Sequence, residues 1–251
     1  MQDLLKKVKE IPVEGGIEVM AIYNRDFQVE YKADSSPLTE ADKAANEIIC
    51  RNLRKISPEI PILSEENKAV DFSERKGWTK MWVVDPIDGT KEFIKKNGEF
   101  TVNIALVENG VPIMGVVYAP ALKNLYYASH GEGAFKDGEA LPLLVNKTPE
   151  KSLTVVASRS HMSSETESFV NKLKTNTAKV TIVSKGSSLK LCLVAEGTAD
   201  YYPRLAPTME WDTAAAHAVV LEAGKKVLEY ETDKALQYNK ENLLNPWFVV
   251  K

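Results

Sequence analysis

The feature that most constrains this chain is an apolar run that ends abruptly in a polar turn. Residues 81–84 are all apolar and predict a buried strand. Asp85 follows at the end of this predicted strand, and Pro86, which has no N–H group to donate to a ladder, is expected to close it. Gly89 then permits a sharp reversal of the chain. The sequence therefore predicts a strand, a tight polar turn and a short helical stretch in succession.

The turn combines the groups that a magnesium and phosphate site needs. It holds the carboxylates of Asp85 and Asp88 and the hydroxyl of Thr90. Backbone N–H groups after Gly89 can point at an anion, as those at a helix N-terminus do. An isolated Asp-x-x-Asp is more often a turn with solvated acids, so the motif alone leaves both interpretations open.

Helical patterns precede the turn and strand patterns follow it. Apolar residues recur with helical spacing near residues 2–9 and 14–23, and again over 39–53, where Thr39 marks a start. Asn109-Gly110 between two alternating apolar runs predicts a hairpin. The predicted strands are 100–107, 112–118, 124–128 and 133–136. This half is predicted to pack helices on a largely antiparallel sheet.

Near residue 151 the pattern changes to short strands that alternate with helices, which predicts a smaller α/β half. The predicted elements are 153–157, 163–173, 179–183, 187–196, 199–202 and 213–223. The segment 142–151 is the best boundary. The fold class is thus α+β with an α/β part: a larger half over 1–150 and a smaller α/β half over 151–251. Clefts between such halves are favoured sites for small ligands.

Composition excludes several functional classes. A net charge of -3 argues against a protein that binds nucleic acid by neutralising its backbone. No apolar run approaches the ~20 residues that span a bilayer, and residues 1–7 lack a signal-peptide core. The expected location is cytoplasmic, with peripheral attachment to a membrane left open. Cys50 and Cys192 have apolar neighbours and predict buried thiols, with a disulfide as the less favoured alternative.

The histidines and cysteines do not form a zinc pattern, so any metal is expected to have oxygen ligands, as Mg²⁺ or Mn²⁺ does. Glu65 follows the apolar run 61–64, which again puts a carboxylate at the end of a strand. Asp212 precedes a predicted helix, where an N-cap is its ordinary use. Asp42 lies in a first helical turn, where the dipole favours an acid. Taken singly, each acid is explained by solvation or capping.

Taken together and in order, three motifs resemble a known family. Residues 63–66, 85–90 and 211–215 are similar to the signature set of the inositol monophosphatase-like, lithium-sensitive, magnesium-dependent phosphatases. Within it, residues 90–94, 98–106 and 239–246 resemble the branch of 3′(2′),5′-bisphosphate nucleotidases. The resemblance runs from residue 34 to 246 and implies a layered αβαβα sandwich.

The resemblance also implies a site. Two or three Mg²⁺ ions would activate the attacking water and screen the leaving oxygen. Thr90 and Asp42 resemble the pair that orients and deprotonates this water, with Asp42 as the proton acceptor. The implied metal ligands are Glu65, Asp85, the carbonyl of Ile87, Asp88 and Asp212.

The nucleotide would lie against the second half. Ser187, Lys190 and Arg204 would hold the phosphate that is not cleaved, and His161 matches a position that contacts nucleotide in relatives. A surface histidine and an exposed helix lysine are the alternatives for His161 and Lys190. The full set of implied substrate contacts is Glu65, Ile87, Asp88, Gly89, Thr90, His161, Ser187, Lys190, Arg204 and Asp212.

The implied activity is Mg²⁺-dependent removal of the 3′-phosphate of adenosine 3′,5′-bisphosphate, to give AMP and phosphate, with the 5′-phosphosulfate form as a second candidate substrate. This activity would link the protein to sulfate assimilation. An inositol monophosphatase or sugar bisphosphatase on the same scaffold remains an alternative. So does a catalytically silent protein that binds phosphonucleotides, although Asp42 and Thr90 argue against it. No nucleic-acid partner or integral membrane segment is expected, and the oligomeric state is not predicted.

Overall fold

The structure is a computed structural model that describes residues 1–32, 37–143, 152–157, 163–176 and 179–251. The described helices are α1 Gln2–Tyr23, α2 Glu40–Ile56, α3 Phe72–Arg75, α4 Thr90–Ile94, α5 Ser164–Asn176, α6 Leu189–Glu196 and α7 Ala214–Glu222. The described strands are β1 Val29–Tyr31, β2 Pro37–Thr39, β3 Ile62–Ser64, β4 Lys80–Asp88, β5 Thr101–Glu108, β6 Val111–Ala119, β7 Asn124–Ser129, β8 Ala134–Lys136, β9 Glu139–Ala140, β10 Ser152–Ala157, β11 Lys179–Ser184, β12 Tyr202–Arg204, β13 Val227–Glu229 and β14 Phe248–Val250.

The largest sheet has the strand order β3-β4-β5-β6-β7-β8-β9. Only its first pair, β3 with β4, is parallel, and the other neighbours run antiparallel, as predicted. Behind it lie the parallel pair β10-β11 and the antiparallel sheet β12-β14-β13. Strands β13 and β14 were not predicted.

Residues on alternate sides of the large sheet enter two different cores. Trp82 and Val84 face the helices α1 and α2, whereas Met81 and Val83 face α6 and α7. Helices α6 and α7 in turn contact the smaller sheets, and α5 packs on β11 and β12. The layers therefore follow in the order helix, sheet, helix, sheet, helix, which confirms the predicted fold class.

The core beneath α6 and α7 combines residues from both predicted halves, such as Val117, Val156 and Val219. Most of the predicted boundary, residues 144–151, lies outside the described residues. The division into 1–150 and 151–251 therefore stays a prediction. Within the described residues, none of the helices combines the length and the hydropathy of a membrane-spanning segment.

The helical stretches predicted near residues 2–9 and 14–23 are confirmed, and they form one helix, α1, which is continuous through Pro12. Gly16 lies inside this helix, where a Cβ atom would come within 2.7 Å of the Tyr118 ring. Glycine is therefore needed there for the close approach of α1 to β6, and packing against the sheet offsets its low helix propensity.

Strand β4 continues to Asp88, so the prediction that Pro86 closes the strand was wrong. The pairing with β5 is irregular between Asp85 and Asp88, which face Asn103 and Thr101 respectively. This irregularity accommodates a residue that has no N–H group to donate. The predicted hairpin is confirmed, since Asn109 and Gly110 have φ values of 50° and 79°.

Candidate active site

Three carboxylates converge at the end of the large sheet. Glu65 follows β3, Asp85 lies on β4 and Asp212 precedes α7. One oxygen from each lies within 4.8 Å of the others. Because β3 and β4 are parallel neighbours, Glu65 and Asp85 lie at the same edge of the large sheet. Asp212 lies at this edge too, but it belongs to the neighbouring layer that contains α7. The two other predicted ligands, Asp88 and the carbonyl of Ile87, follow Asp85 closely in the sequence. Asp88 is not among the carboxylates whose oxygens lie within 4.8 Å of one another.

Asp85 is buried among like charges. Its Oδ1 accepts a hydrogen bond from the N–H of Ile87 at 3.0 Å, whereas its buried Oδ2 has no partner among the described residues. Burial and then the charges of Glu65, Asp88 and Asp212 raise the pKa of Asp85 well above its usual range. A carboxylate oxygen without a partner, within an acidic cluster, fits a hard divalent cation. The donors present therefore suit Mg²⁺.

Lys32 forms an ion pair with Glu65, one member of the carboxylate cluster, and with the adjacent Glu66. Lys32 Nζ lies 2.7 Å from Glu65 Oε1 and 2.6 Å from Glu66 Oε1. Burial lowers the pKa of Lys32, but hydrogen bonds and charges from both carboxylates raise it more. Lys32 was not predicted, because a lysine in a polar loop carries no sequence signal that it will meet Glu65.

Asp212 is anchored by the C-terminal segment. Its Oδ2 accepts a hydrogen bond from the N–H of Met209 at 2.8 Å, and Asn245 Nδ2 donates to the Met209 carbonyl at 2.8 Å. Buried Glu210 accepts hydrogen bonds from the N–H groups of Asn239 and Lys240 at 2.7 and 3.0 Å. The motif 239–246, noted in the sequence only as a mark of the nucleotidase branch, thus supports the loop that carries Asp212.

Thr90 and Asp42 meet although 48 positions separate them in the chain. Thr90 Oγ1 lies 3.4 Å from Asp42 Oδ1 and 3.3 Å from the carbonyl of Ile87. Asp42 Oδ2 accepts hydrogen bonds from the N–H and hydroxyl of Thr39, and the bond from the Thr39 N–H is part of a capping box at the start of α2. Its other oxygen is left facing Thr90. Burial raises the pKa of Asp42 to about 6.

The turn after β4 adopts the predicted reversal, since Gly89 has a φ of 93°. In α4, Phe93 is fully buried against the rings of Tyr23, Phe27 and Phe100. Phe93 therefore anchors this short helix in the core. Lys91 and Glu92, which follow Thr90 in this motif, line a cleft beside the acidic cluster.

This cleft has a volume of about 340 Å³ and is lined by Asp88 and Asp212 as well as by basic groups. Lys190 is buried, donates to the Ser187 carbonyl at 2.7 Å and makes no ion pair in the described parts of the chain. Burial lowers the pKa of Lys190 to about 8. Arg204 donates to the Pro207 carbonyl, but its buried Nε has no partner among the residues that the structure describes.

The structure does not test the substrate contacts that were predicted for Ser187 and His161. Ser187 lines the cleft, but its hydroxyl is hydrogen-bonded to Asp88 at 2.8 Å and to Thr101 at 2.6 Å. Its contact with a phosphate stays a prediction. His161 lies outside the described residues. Cys50 and Cys192 are both buried and free, as the composition predicted.

The pKa of Asp212 predicts how pH affects the metal-free protein. Burial and the charge of Asp88 raise it from an ordinary value of 3.8 to about 8. Between these values the folded state holds a proton that the unfolded state releases, so this group's contribution to stability falls as the pH rises. We expect the melting temperature to fall less steeply in Asp212→Asn than in the unmodified protein between about pH 5 and pH 8. Equal slopes would contradict the buried, protonated state of Asp212.

An acidic cluster beside a cleft that is also lined by basic groups is typical of a metal-dependent phosphatase. A family model for the inositol monophosphatase family matches residues 2–247. The 3′(2′),5′-bisphosphate nucleotidase CysQ of Salmonella typhimurium is 45% identical over 250 residues, which cover 98% of this chain and 99% of that protein. The chain therefore belongs to the inositol monophosphatase family, and the family resemblance read from the sequence is confirmed.

Solved structures agree with this classification. The crystal structure of CysQ from Bacteroides thetaiotaomicron, a bacterial member of the family, matches with a TM-score of 0.91 at 45% identity, covering 100% of this chain and 97% of that one. An inositol monophosphatase from Thermotoga maritima matches with a TM-score of 0.76 at 28% identity, covering 100% of this chain and 92% of that one. Members with different named substrates thus share the scaffold.

Proposed function

We propose that this chain is a 3′(2′),5′-bisphosphate nucleotidase that removes the 3′-phosphate of adenosine 3′,5′-bisphosphate to give AMP and phosphate. The observation that carries the proposal is one cleft lined by Asp88 and Asp212 and by two basic groups, Lys190 and Arg204, that form no salt bridge within the described residues. A ligand with two phosphates matches this pairing. The relatives named as nucleotidases, which cover nearly the whole chain, support the same substrate.

Mg²⁺ would be held by Glu65, Asp85 and Asp212, with Asp88 and the carbonyl of Ile87 as further ligands. When bound, two or three such ions supply the positive charge that activates water and screens the phosphate oxygens. The unpaired Oδ2 of Asp85 supports a ligand role for this residue. Lys32 would have to share Glu65 with the cation, because both compete for the same carboxylate.

Thr90 and Asp42 would act on the attacking water. The Thr90 hydroxyl would orient the water, and Asp42 would accept its proton, because Asp42 Oδ1 faces Thr90 and carries no capping hydrogen bond. A pKa of about 6 keeps Asp42 largely ionised at neutral pH while making it a better base than an exposed aspartate.

The second phosphate would lie against Lys190 and Arg204. A buried ammonium without a carboxylate partner is costly, and an anionic ligand offsets this cost. In this proposal residues 1–150 supply most metal ligands, and residues 151–251 supply Asp212 and the nucleotide contacts. The 5′-phosphosulfate form presents the same 3′-phosphate and is a second candidate substrate.

Replacing Lys190 tests the role of the second phosphate. We expect the unmodified enzyme to prefer adenosine 3′,5′-bisphosphate to 3′-AMP, which lacks the 5′-phosphate. Lys190→Met should reduce this preference, measured as a ratio of kcat/KM values, by about tenfold or more, because a charge-assisted hydrogen bond is lost. Lys185→Met is the matched control, since Lys185 pairs with Glu99 and does not line the cleft. An unchanged ratio in Lys190→Met would contradict this placement of the second phosphate.

A further inference from the structure

Ser188 touches two of the proposed metal-binding segments at once. It is 1% exposed and directly precedes α6. Its hydroxyl lies 2.8 Å from Asp88 Oδ2 and 2.8 Å from the backbone carbonyl oxygen of Asp212. Its own N–H group donates to Asp88 Oδ2 at 2.6 Å. One residue thus joins the end of β4 to the loop that precedes α7.

A third contact fixes the hydroxyl from the side. Asn103 Nδ2 donates to Ser188 Oγ at 2.9 Å. Asn103 is 1% exposed and lies on β5 directly opposite Asp85 in the strand register. Ser188 Oγ is therefore bonded to β5, the strand that pairs with β4 at the position of the buried Asp85.

The chemistry of a hydroxyl limits what these contacts can be. A serine has one hydrogen to donate and two lone pairs to accept with. Asn103 uses one lone pair, so the single hydrogen serves either Asp88 or the Asp212 carbonyl. Asp88 Oδ2 already receives the N–H of Ser188 and the hydroxyl of Ser187. Because these two donors already hold Asp88 Oδ2, the hydroxyl hydrogen is left for the Asp212 carbonyl, and Ser188 joins the two acceptors through its N–H group and its hydroxyl.

We propose that Ser188 is a positioning residue that fixes the separation and orientation of Asp88 and Asp212 for Mg²⁺. The proposal rests on the metal site of the proposed function. The hydroxyl of Ser187 and the N–H group of Ser188 both donate to Oδ2 of Asp88, which fixes the orientation of this carboxylate. The Asp212 segment, anchored on its far side by Met209 and Asn245, is held at this side by Ser188.

A purely structural role would have a different consequence. Ser188 occupies the N-cap position of α6, but its side chain makes no capping hydrogen bond there. Its hydroxyl bonds are directed at residues around the metal site and at Asn103. Loss of the hydroxyl should therefore change metal affinity more than it changes helix stability.

The test measures Mg²⁺ binding by isothermal titration calorimetry without substrate, together with the rise in melting temperature that Mg²⁺ produces. Ser188→Ala should weaken Mg²⁺ binding by about 10- to 100-fold, as expected when a group that orients a metal ligand is removed. Ser188→Thr, which keeps the hydroxyl, should bind Mg²⁺ more tightly than Ser188→Ala. In activity assays, Ser188→Ala should need more Mg²⁺ for half-maximal rate, and kcat at saturating Mg²⁺ should recover most of its value.

Ser129→Ala is the matched control, because the Ser129 hydroxyl is equally buried but has no hydrogen-bond partner among the described residues. Its Mg²⁺ affinity should equal that of the unmodified protein. If Ser188→Ala binds Mg²⁺ as tightly as the unmodified protein does, the proposal is wrong, whatever happens to its melting temperature. If the unmodified protein itself binds no Mg²⁺, the proposed metal site fails first, and the positioning role fails with it.

Discussion

Asp85→Asn should abolish Mg²⁺-dependent phosphate release while leaving the metal-free protein at least as stable as before. Asp85 is the most buried member of the acidic cluster, and its fully buried Oδ2 has no hydrogen-bond partner among the described residues. Removing its charge removes a central ligand, and the loss of several kcal/mol of charge stabilisation corresponds to roughly a thousandfold or more in kcat/KM.

Stability should change in the opposite direction. The raised pKa of Asp85 shows that its ionised form is unfavourable next to Glu65, Asp88 and Asp212 in the absence of a cation. An amide of similar shape avoids this repulsion and can still accept the hydrogen bond from the N–H of Ile87. Each kcal/mol relieved would raise the melting temperature by about 2–4 °C. We therefore expect a metal-free variant with a higher melting temperature and little further response to Mg²⁺.

Thermal denaturation with Mg²⁺ or with EDTA, beside steady-state kinetics, checks both halves of this prediction. Asp137→Asn is the control, because Asp137 also accepts a hydrogen bond from one backbone N–H, that of Leu125, but lies on the surface away from the cluster. It should retain activity and the Mg²⁺ response. An Asp85→Asn variant that remains active, or that is less stable than the unmodified protein in EDTA, would contradict the role assigned to the cluster.

Thr90→Ala should lower kcat strongly while leaving Mg²⁺ affinity nearly unchanged. In the proposed mechanism Thr90 orients the attacking water towards Asp42, and such general-base contributions amount to about 10²–10⁴ in rate. Thr90 Oγ1 contacts Asp42 and the carbonyl of Ile87 but none of the three clustered carboxylates. Of the proposed metal ligands it contacts only the Ile87 carbonyl, so its removal should lower Mg²⁺ affinity far less than kcat.

Thr90→Ser, which keeps the hydroxyl, should restore most of the rate. Asp42→Asn should give a loss of similar size, because the amide can still accept the capping hydrogen bonds from Thr39 but cannot accept the proton. The measurements are kcat at saturating Mg²⁺ and calorimetric Mg²⁺ affinity for each variant. If Mg²⁺ affinity falls in step with kcat, Thr90 acts on the metal site instead of on the water.

Local sequence signals predicted the elements that present the site. The apolar runs before Glu65 and Asp85 predicted strands β3 and β4. Glu65 directly follows β3, whereas Asp85 lies within β4, which continues to Asp88. The hairpin at Asn109-Gly110 and the start of α2 at Thr39 were predicted for the same reason, since turn and capping residues act over a few positions.

Tertiary packing decided what the sequence left open. Helix α1 is continuous although it contains Pro12 and two glycines, because it packs against the large sheet. Strand β14, which pairs with both β12 and β13, depends on partners distant in the chain. Contacts such as that of Lys32 with Glu65, or of Ser188 with Asp88, depend on distant segments meeting. Spacing along one chain carries no signal for them.

The most direct test of the proposed function is the identity of the product formed from adenosine 3′,5′-bisphosphate, followed by ³¹P NMR. With Mg²⁺ we expect 5′-AMP and inorganic phosphate in equal amounts, no reaction in EDTA, and a lower kcat/KM for inositol 1-phosphate. Release of the 5′-phosphate, or no release at all from the nucleotide by a protein that hydrolyses inositol 1-phosphate, would contradict it.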